Sequence, residues 1–494
     1  MKRLFLLILL LPLVTASFIN YNIEVLGEEA IVTATIGLEA DSPVNSFSTK
    51  IGLPENSEIL SLRDSKGEIK GFTVKDEMIE FETNSGARKT RETVELKYEI
   101  SEFCKGKLSK PCQMDISLPG FPGSNSSVKI TGQRILSFET IPSFAGEIKE
   151  KELELIGEGA PSFYAFYSDE GTEFDNFVLF NQSSMSKKEI EEKGLREADS
   201  LIEIIPQATG ISLPYKKIPL VILDAADYEE KINPYSLGVY MTGGVIVLNS
   251  EAFNENATAI ILHETTHAFN AQAIEWDSSG AAWFDEGTAK LIENYVRELR
   301  GERKPNLFIG NITWNESNYR YTLQPRGNIE ELVSYLLEKK KFMKEWDTKN
   351  GETREFGYAF SELYVKEFIK EKGFEELQKA YREMLAVKDR IENRAEFTDK
   401  LTEILEKPLT PCKSQKEQEI RDCVKKLNSF EIMLPEKTSI LKLGLNDEEF
   451  ESIGEKYKLQ KTILNEKISL FEEKLFELIG NIFSAIQKNK EVMK

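Results

Sequence analysis

Ala259-Ile260-Ile261-Leu262-His263-Glu264-Thr265-Thr266-His267-Ala268-Phe269 holds both histidines of a 494-residue chain, four positions apart, with a glutamate directly after the first. Positions i and i+4 of a helix share one face, so the two imidazoles project side by side. A zinc ion needs that arrangement from two of its three protein ligands. Glu264 stands about a third of a helical turn round, within reach of a metal-bound water without ligating the metal. The alternative is a pair of core histidines satisfied by backbone carbonyls. Two features oppose it: a chain this poor in histidine has placed both at ligand spacing, and a third ligand follows.

That third ligand is Glu286, in Ala282-Trp283-Phe284-Asp285-Glu286-Gly287-Thr288-Ala289-Lys290-Leu291-Ile292-Glu293. Residues 268 through 285 separate it from His267. A short loop and a returning helix fit that interval, bringing a carboxylate to the metal from an antiparallel neighbour. His263-Glu264-x-x-His267, then eighteen residues, then Glu286 within Trp-Phe-Asp-Glu-Gly resembles the gluzincin metallopeptidases. The M1 aminopeptidase-like and peptidase MA-like groups stand nearest, and they carry a Trp-Leu-Asn-Glu-Gly string at the third ligand. The resemblance covers about residues 186 to 385, more loosely the region before it. It implies His263, His267 and Glu286 as zinc ligands and Glu264 as general base. It sets Glu293 where the family has an acid orienting one histidine; the alternative for Glu293 is an ordinary exposed helix glutamate.

The implied architecture is multidomain α+β. An N-terminal antiparallel β domain (18–182) follows a leader (1–17), then a thermolysin/M1-like catalytic domain of strands and helices (183–385) and a helical C-terminal region (386–494). The length has room for about three domains.

The leader reads as a secretory signal. Lys2 and Arg3 form the basic start, Leu4 to Val14 the apolar core, and Val14-Thr15-Ala16 a small-residue cleavage site. The apolar run is short for a bilayer span, and no later stretch is long enough, so a secreted or cell-surface protein is expected, with the leader cleaved or kept as an anchor. Cys104 and Cys112 form one close pair, Cys412 and Cys423 another, read as two local disulfides of an oxidising compartment. Asn-x-Ser/Thr sites at Asn125, Asn181, Asn256, Asn311 and Asn315 suit a glycosylated exported protein. A formal charge of −20 argues against a nucleic-acid partner, which needs clustered Lys and Arg.

From about residue 18 to 180 the hydrophobic period is two. Tyr21, Ile23 and Val25, then Val32, Ala34, Ile36 and Leu38, then Val94, Leu96, Tyr98 and Ile100 alternate with polar residues. Gly27-Glu28-Glu29, Asp64-Ser65-Lys66-Gly67 and Asn84-Ser85-Gly86 mark turns. A sandwich or saddle-like sheet follows. The resemblance makes it a domain that shapes the cleft; an adhesion or surface module is the alternative. Ser186-Lys187-Lys188-Glu189 has capping-box form and opens a helix to about Ile205, broken by Gly210.

Strands are expected at Ile218–Leu223 and Gly244–Asn249. In gluzincins the latter is an edge strand lining the cleft, so Gly243, Gly244 and Val245 are candidate substrate-binding positions, where an extended peptide pairs with exposed main chain. The M1 enzymes carry a Gly-x-Met-Glu-Asn string here, whose glutamate holds the substrate amino terminus. This chain has Gly243-Gly244-Val245-Ile246-Val247 and no acid, which moves the expectation from aminopeptidase towards endopeptidase.

Zinc lowers the pKa of a bound water towards about 7, Glu264 accepts its proton, and a donor opposite the metal must steady the oxyanion. Tyr358, in Gly357-Tyr358-Ala359-Phe360-Ser361, resembles the Tyr-Ala-x-Ser start of a helix in the peptidase MA-like group. It is the candidate donor, with Arg354, Tyr319 and Tyr321 behind it, and simple packing as the alternative. Beyond residue 386, Leu464, Ile468, Phe471, Leu475, Leu478 and Ile482 form a heptad seam. The sequence reading is a secreted zinc peptidase acting on peptides or proteins, of unknown oligomeric state. Its rivals are an M1-type aminopeptidase and a non-catalytic surface binding protein.

Overall fold

The structure, a computed structural model, describes residues 14–404 except 105, 107, 109, 120–123, 142–143, 150, 160–161, 214, 235, 255, 275–280, 301–310, 316–319, 325–353, 389–398 and 402. The Cys412 and Cys423 pair, the heptad seam and residues 1–13 of the leader lie outside the described residues. The α-helices are α1 (Lys187–Ile190), α2 (Arg196–Leu201), α3 (Ile204–Thr209), α4 (Ala225–Lys231), α5 (Ala257–Ala273), α6 (Ala282–Leu299), α7 (Arg354–Lys372) and α8 (Phe374–Lys388). Two compact units form: one from the chain up to Lys187 with Leu213–Glu251, the other from Lys188–Ser212 with the chain from Ala252 on.

The first unit is built on an eight-stranded sheet. Its central strands Val14–Leu26, Glu29–Val44 and Lys89–Ile100 bury one face: Ile23, Val32, Ala34, Ile36, Val94, Leu96 and Tyr98 are nearly inaccessible. Alternation is what a half-covered sheet requires, and burying such a face is what stabilises it. Two-residue turns at Gly27-Glu28 and Ser65-Lys66 join paired neighbours, and Gly27 adopts a φ of +82°, a conformation glycine takes without steric cost. Strand Val14–Leu26 starts inside the segment read as a cleavage site.

The sheet departs from the antiparallel expectation at one pairing: Phe18–Glu24 runs parallel to Asn125–Thr131. Parallel neighbours need a long connection, and here the intervening strands of the same unit supply it. A disulfide joins Cys104 and Cys112 across a Cα separation of 5.4 Å. Among the described residues no helix is long and apolar enough to cross a membrane.

The same unit carries a five-stranded sheet ordered Thr172–Glu173, Phe177–Gln182, Ile218–Leu223, Val245–Asn249, Gly238–Met241. This corrects the edge-strand expectation for Gly243, Gly244 and Val245. Val245–Asn249 is paired on both sides, parallel to Ile218–Leu223 and antiparallel to Gly238–Met241, which is the true edge. The unbroken burial of Val245 through Asn249 is the mark of an interior strand covered on both faces. Gly243 and Gly244, at φ values of +98° and +95°, form the turn into it. The region assigned to the catalytic domain (183–385) is therefore divided between the two units.

The second unit is mainly helical, with one two-stranded sheet of Asn311–Asn315 and Arg320–Gln324. Asn256 caps α5, its side-chain oxygen accepting from the Ala259 amide at 3.0 Å; it is buried, so this glycosylation site is corrected to a structural one. Asn125 and Asn181 are exposed. Nearly every residue of α5 is buried, so its hydroxyls must be satisfied internally: Thr265 and Thr266 donate to the Ile261 and Leu262 carbonyls, each at 2.7 Å. The helix α5 packs on α6, and α6 on α7.

The α6–α7 approach depends on Gly287, where a Cβ would stand 2.5 Å from the Ser361 carbonyl oxygen and 2.9 Å from Val365. Alanine gains about 1 kcal/mol in helix propensity, but overpacking against backbone costs more. Gly287→Ala is expected to destabilise the unit by roughly 1–2 kcal/mol net. A thermal midpoint equal to or above wild type would refute this.

Candidate metal centre

Helix α5 projects His263 and His267 from one face, with ring centroids 4.9 Å apart, and α6 brings Glu286 to them. The His263 and His267 Nε2 atoms lie 3.2 Å apart, and Glu286 Oε2 stands 3.5 Å from each. Tetrahedral zinc with bonds of about 2.0–2.2 Å sets its ligand atoms about 3.3–3.6 Å from one another. The three donors therefore outline one face of such a tetrahedron. His263, His267 and Glu286 are also the one group among the described residues whose side chains could together hold a metal ion, and all three are buried. Glu286 Oε2 has no hydrogen-bond partner, although a buried carboxylate oxygen left alone costs several kcal/mol. A cation at the centre of the triangle resolves that cost, so the donor set fits zinc.

Outer partners aim both rings. Asp285 Oδ1 is 2.8 Å from His267 Nδ1, which turns Nε2 towards the triangle. Glu293 Oε2 is 3.1 Å from His263 Nδ1, off the hydrogen-bond line. Glu293 is itself held by Lys290 at 2.6 Å and by Arg297 at 2.9 and 3.0 Å. The exposed-glutamate alternative for Glu293 is thereby overturned: it is buried and clamped by two cations.

Tyr358 is half-buried, and its hydroxyl donates to Glu286 Oε1 at 3.2 Å, on the oxygen facing away from the histidines. Lys290 sits 5.4 Å above its ring. In this conformation the phenol supports the Glu286 carboxylate. Tyr319 lies outside the described residues, as do the side chains of Arg354 and Tyr321. Sequence reasoning missed Asp285 and Asn270. Asn270 carried a readable signal, because it is a polar residue on the face of His267, three positions on.

The electrostatics of the site follow from setting three buried carboxylates and the half-buried Asp285 beside two buried imidazoles. Burial alone would lower both imidazole pKa values. The nearby carboxylates of Glu286 and Glu293 outweigh it at His263, and the charges of Asp285 and Glu286 outweigh it strongly at His267, so both are raised. Glu286 moves the other way: burial would raise it, but the His267 charge and the closeness of both rings hold it well below the usual carboxylate range. Glu264 is pushed up, mainly by burial, with the two imidazoles opposing.

A pH dependence follows. Zinc requires neutral imidazoles, so below their raised pKa values each ring must lose a proton before it can ligate. Glu286 is already ionised and contributes none. Zinc affinity is expected to rise with pH across the neutral range, releasing up to two protons per ion, and to level off above the imidazole pKa values. Calorimetric zinc titrations in buffers of different ionisation enthalpy measure that release; none at neutral pH would contradict the assignment.

No protein-family model matches the chain, and no curated protein does. Among solved structures the chain is similar to an M1 zinc metallopeptidase from Deinococcus radiodurans, at 11% identity and a TM-score of 0.32, over 86% of this chain and 96% of that one. A mutant of that protein bound to a Tyr-Ser-Ala substrate gives 10% identity and 0.34 over the same shares. At this degree of likeness the functional reading rests on the side chains themselves.

Proposed function

We propose that the chain is a zinc-dependent peptidase of the gluzincin class, secreted or held at the cell surface, acting on peptide or protein substrates. One observation carries the reading: three buried donor atoms at zinc-ligand separations, one of them an otherwise orphaned carboxylate oxygen, with a buried glutamate next in sequence to the first histidine. Bound there, zinc would supply Lewis acidity, polarising a carbonyl and acidifying water.

The chain's own groups do the rest. His263, His267 and Glu286 hold the ion, while Asp285 and Glu293 set the ring orientations. Glu264 takes up a proton from the attacking water and passes it to the leaving amine; its raised pKa suits a group that must do both near neutral pH. Tyr358 lies one hydrogen bond from Glu286, and a rotation of its side chain would release the phenol to steady an oxyanion. The leader and the Cys104–Cys112 disulfide support an extracytoplasmic location.

An endopeptidase is favoured over an aminopeptidase, because Gly243-Gly244-Val245-Ile246-Val247 offers no acid to anchor a substrate ammonium. The deciding experiment pairs metal analysis with mapping of cleavage in a mixed peptide pool. One zinc per chain and internal cuts, equally fast on acetylated and free-amine versions of a peptide, are expected. A strict need for the free amine would shift the assignment to an aminopeptidase. Zinc binding with no turnover on any peptide would make it a binding protein.

A further inference from the structure

The carboxylate that aims His267 is itself aimed, from a helix far along the chain. Tyr381, on α8, is fully buried, and its hydroxyl donates to Asn270 Oδ1 at 2.6 Å. A buried phenol needs such a partner, so the carbonyl end of the Asn270 amide is committed to Tyr381. Its Nδ2 end then faces the metal centre, donating to Asp285 Oδ1 at 2.7 Å and to Thr288 Oγ1 at 2.8 Å. Thr288 spends its own hydrogen on the Phe284 or Asp285 carbonyl, each 2.9 Å away, and can therefore only accept from Asn270. The amide cannot flip without breaking its bonds to Tyr381, Asp285 and Thr288.

Resting on the zinc reading above, we propose that Tyr381 is a positioning residue for the metal centre, acting through Asn270 and Asp285 on the tautomer of His267. Asp285 Oδ1 accepts from Asn270 on one side, and with no hydrogen of its own it accepts from His267 Nδ1 on the other. That leaves the proton on Nδ1 and the lone pair of Nε2 towards Glu286 and His263, as a ligand must have it. Without the phenol, Asn270 Oδ1 is left buried with no donor; the amide shifts to find one, and its hold on Asp285 Oδ1, and through it on the ring, loosens. Nothing in this relay touches substrate.

The test uses the full chain and zinc itself. Tyr381→Phe removes one oxygen from a buried ring. It is expected to weaken zinc binding about ten-fold, the lower end of what outer partners of ligands contribute, measured by competition with a chromophoric chelator. Because the chain has only two histidines, nitrogen-resolved imidazole spectra of the zinc-loaded protein show two rings. The His267 Nδ1 proton should exchange with water several-fold faster in the variant, while the His263 ring, on the Glu293 side, keeps its signals. A general loosening of the core would move both rings alike and so would overturn the proposal, as would an unchanged affinity and exchange rate. Thr288→Val, which removes the second acceptor of Asn270 and leaves Tyr381 in place, decides the matter if Tyr381→Phe does not fold; it should shift both readouts in the same direction. Wild-type protein that takes up no zinc would remove the site reading itself, whereas unaltered variants of a zinc-binding wild type sink this proposal alone.

Discussion

Glu264→Gln is expected to abolish measurable turnover while the protein still carries zinc. The substitution keeps the side-chain volume and hydrogen-bonding reach, so the buried surroundings of α5 have no reason to repack. What goes is the ability to accept a proton. General-base catalysis is worth about 10²- to 10⁴-fold, and with the acid role in the second half of the reaction lost too, the upper end is expected. Glu264 is no ligand of the donor triangle, so zinc stoichiometry should stay at the wild-type value. The informative measurement is the two together, metal content and kcat on one preparation. Full activity would remove the general-base assignment; lost activity with lost zinc would mean that the glutamate acts on the metal instead.

The second large effect is loss of the ion. In Glu286→Ala the triangle keeps two imidazoles and loses its only charged donor. Outer partners of ligands contribute about 10–100-fold to affinity, so removing a ligand should cost well beyond that. Turnover should vanish with the metal, as it should on chelation of the wild type. The helix should survive, since alanine is the best helix former and the carboxylate loses only the Tyr358 bond at Oε1, Oε2 having none. Zinc retained at wild-type affinity with a folded α6 would show that this carboxylate is no ligand and would dissolve the case for a metallopeptidase.

The donor set was legible because its logic is local. Helical periodicity puts His263 and His267 on one face whatever the rest of the chain does, and eighteen residues suffice for a turn and a return. Alternation likewise revealed the strands of the large sheet, since covering one face requires it. Strand order was less accessible. The resemblance makes Val245–Asn249 a cleft edge, whereas its own apolar run, Val245 to Leu248, points to an interior strand. Neighbours in a sheet are chosen by the whole chain, and Gly238–Met241, not visible as a strand beforehand, took the edge.

The amino-acid sequence by itself determined which residues can bind a cation and on which helices they ride, because both follow from spacings of a few residues. Only the tertiary structure decided how those side chains are held. Asp285 reaches His267 because α5 and α6 pack together, Glu293 is buried by Lys290 and Arg297, and Tyr381 arrives at Asn270 from 111 positions away. Contacts between distant segments depend on how helices cross, and no short-range pattern in a single chain records that.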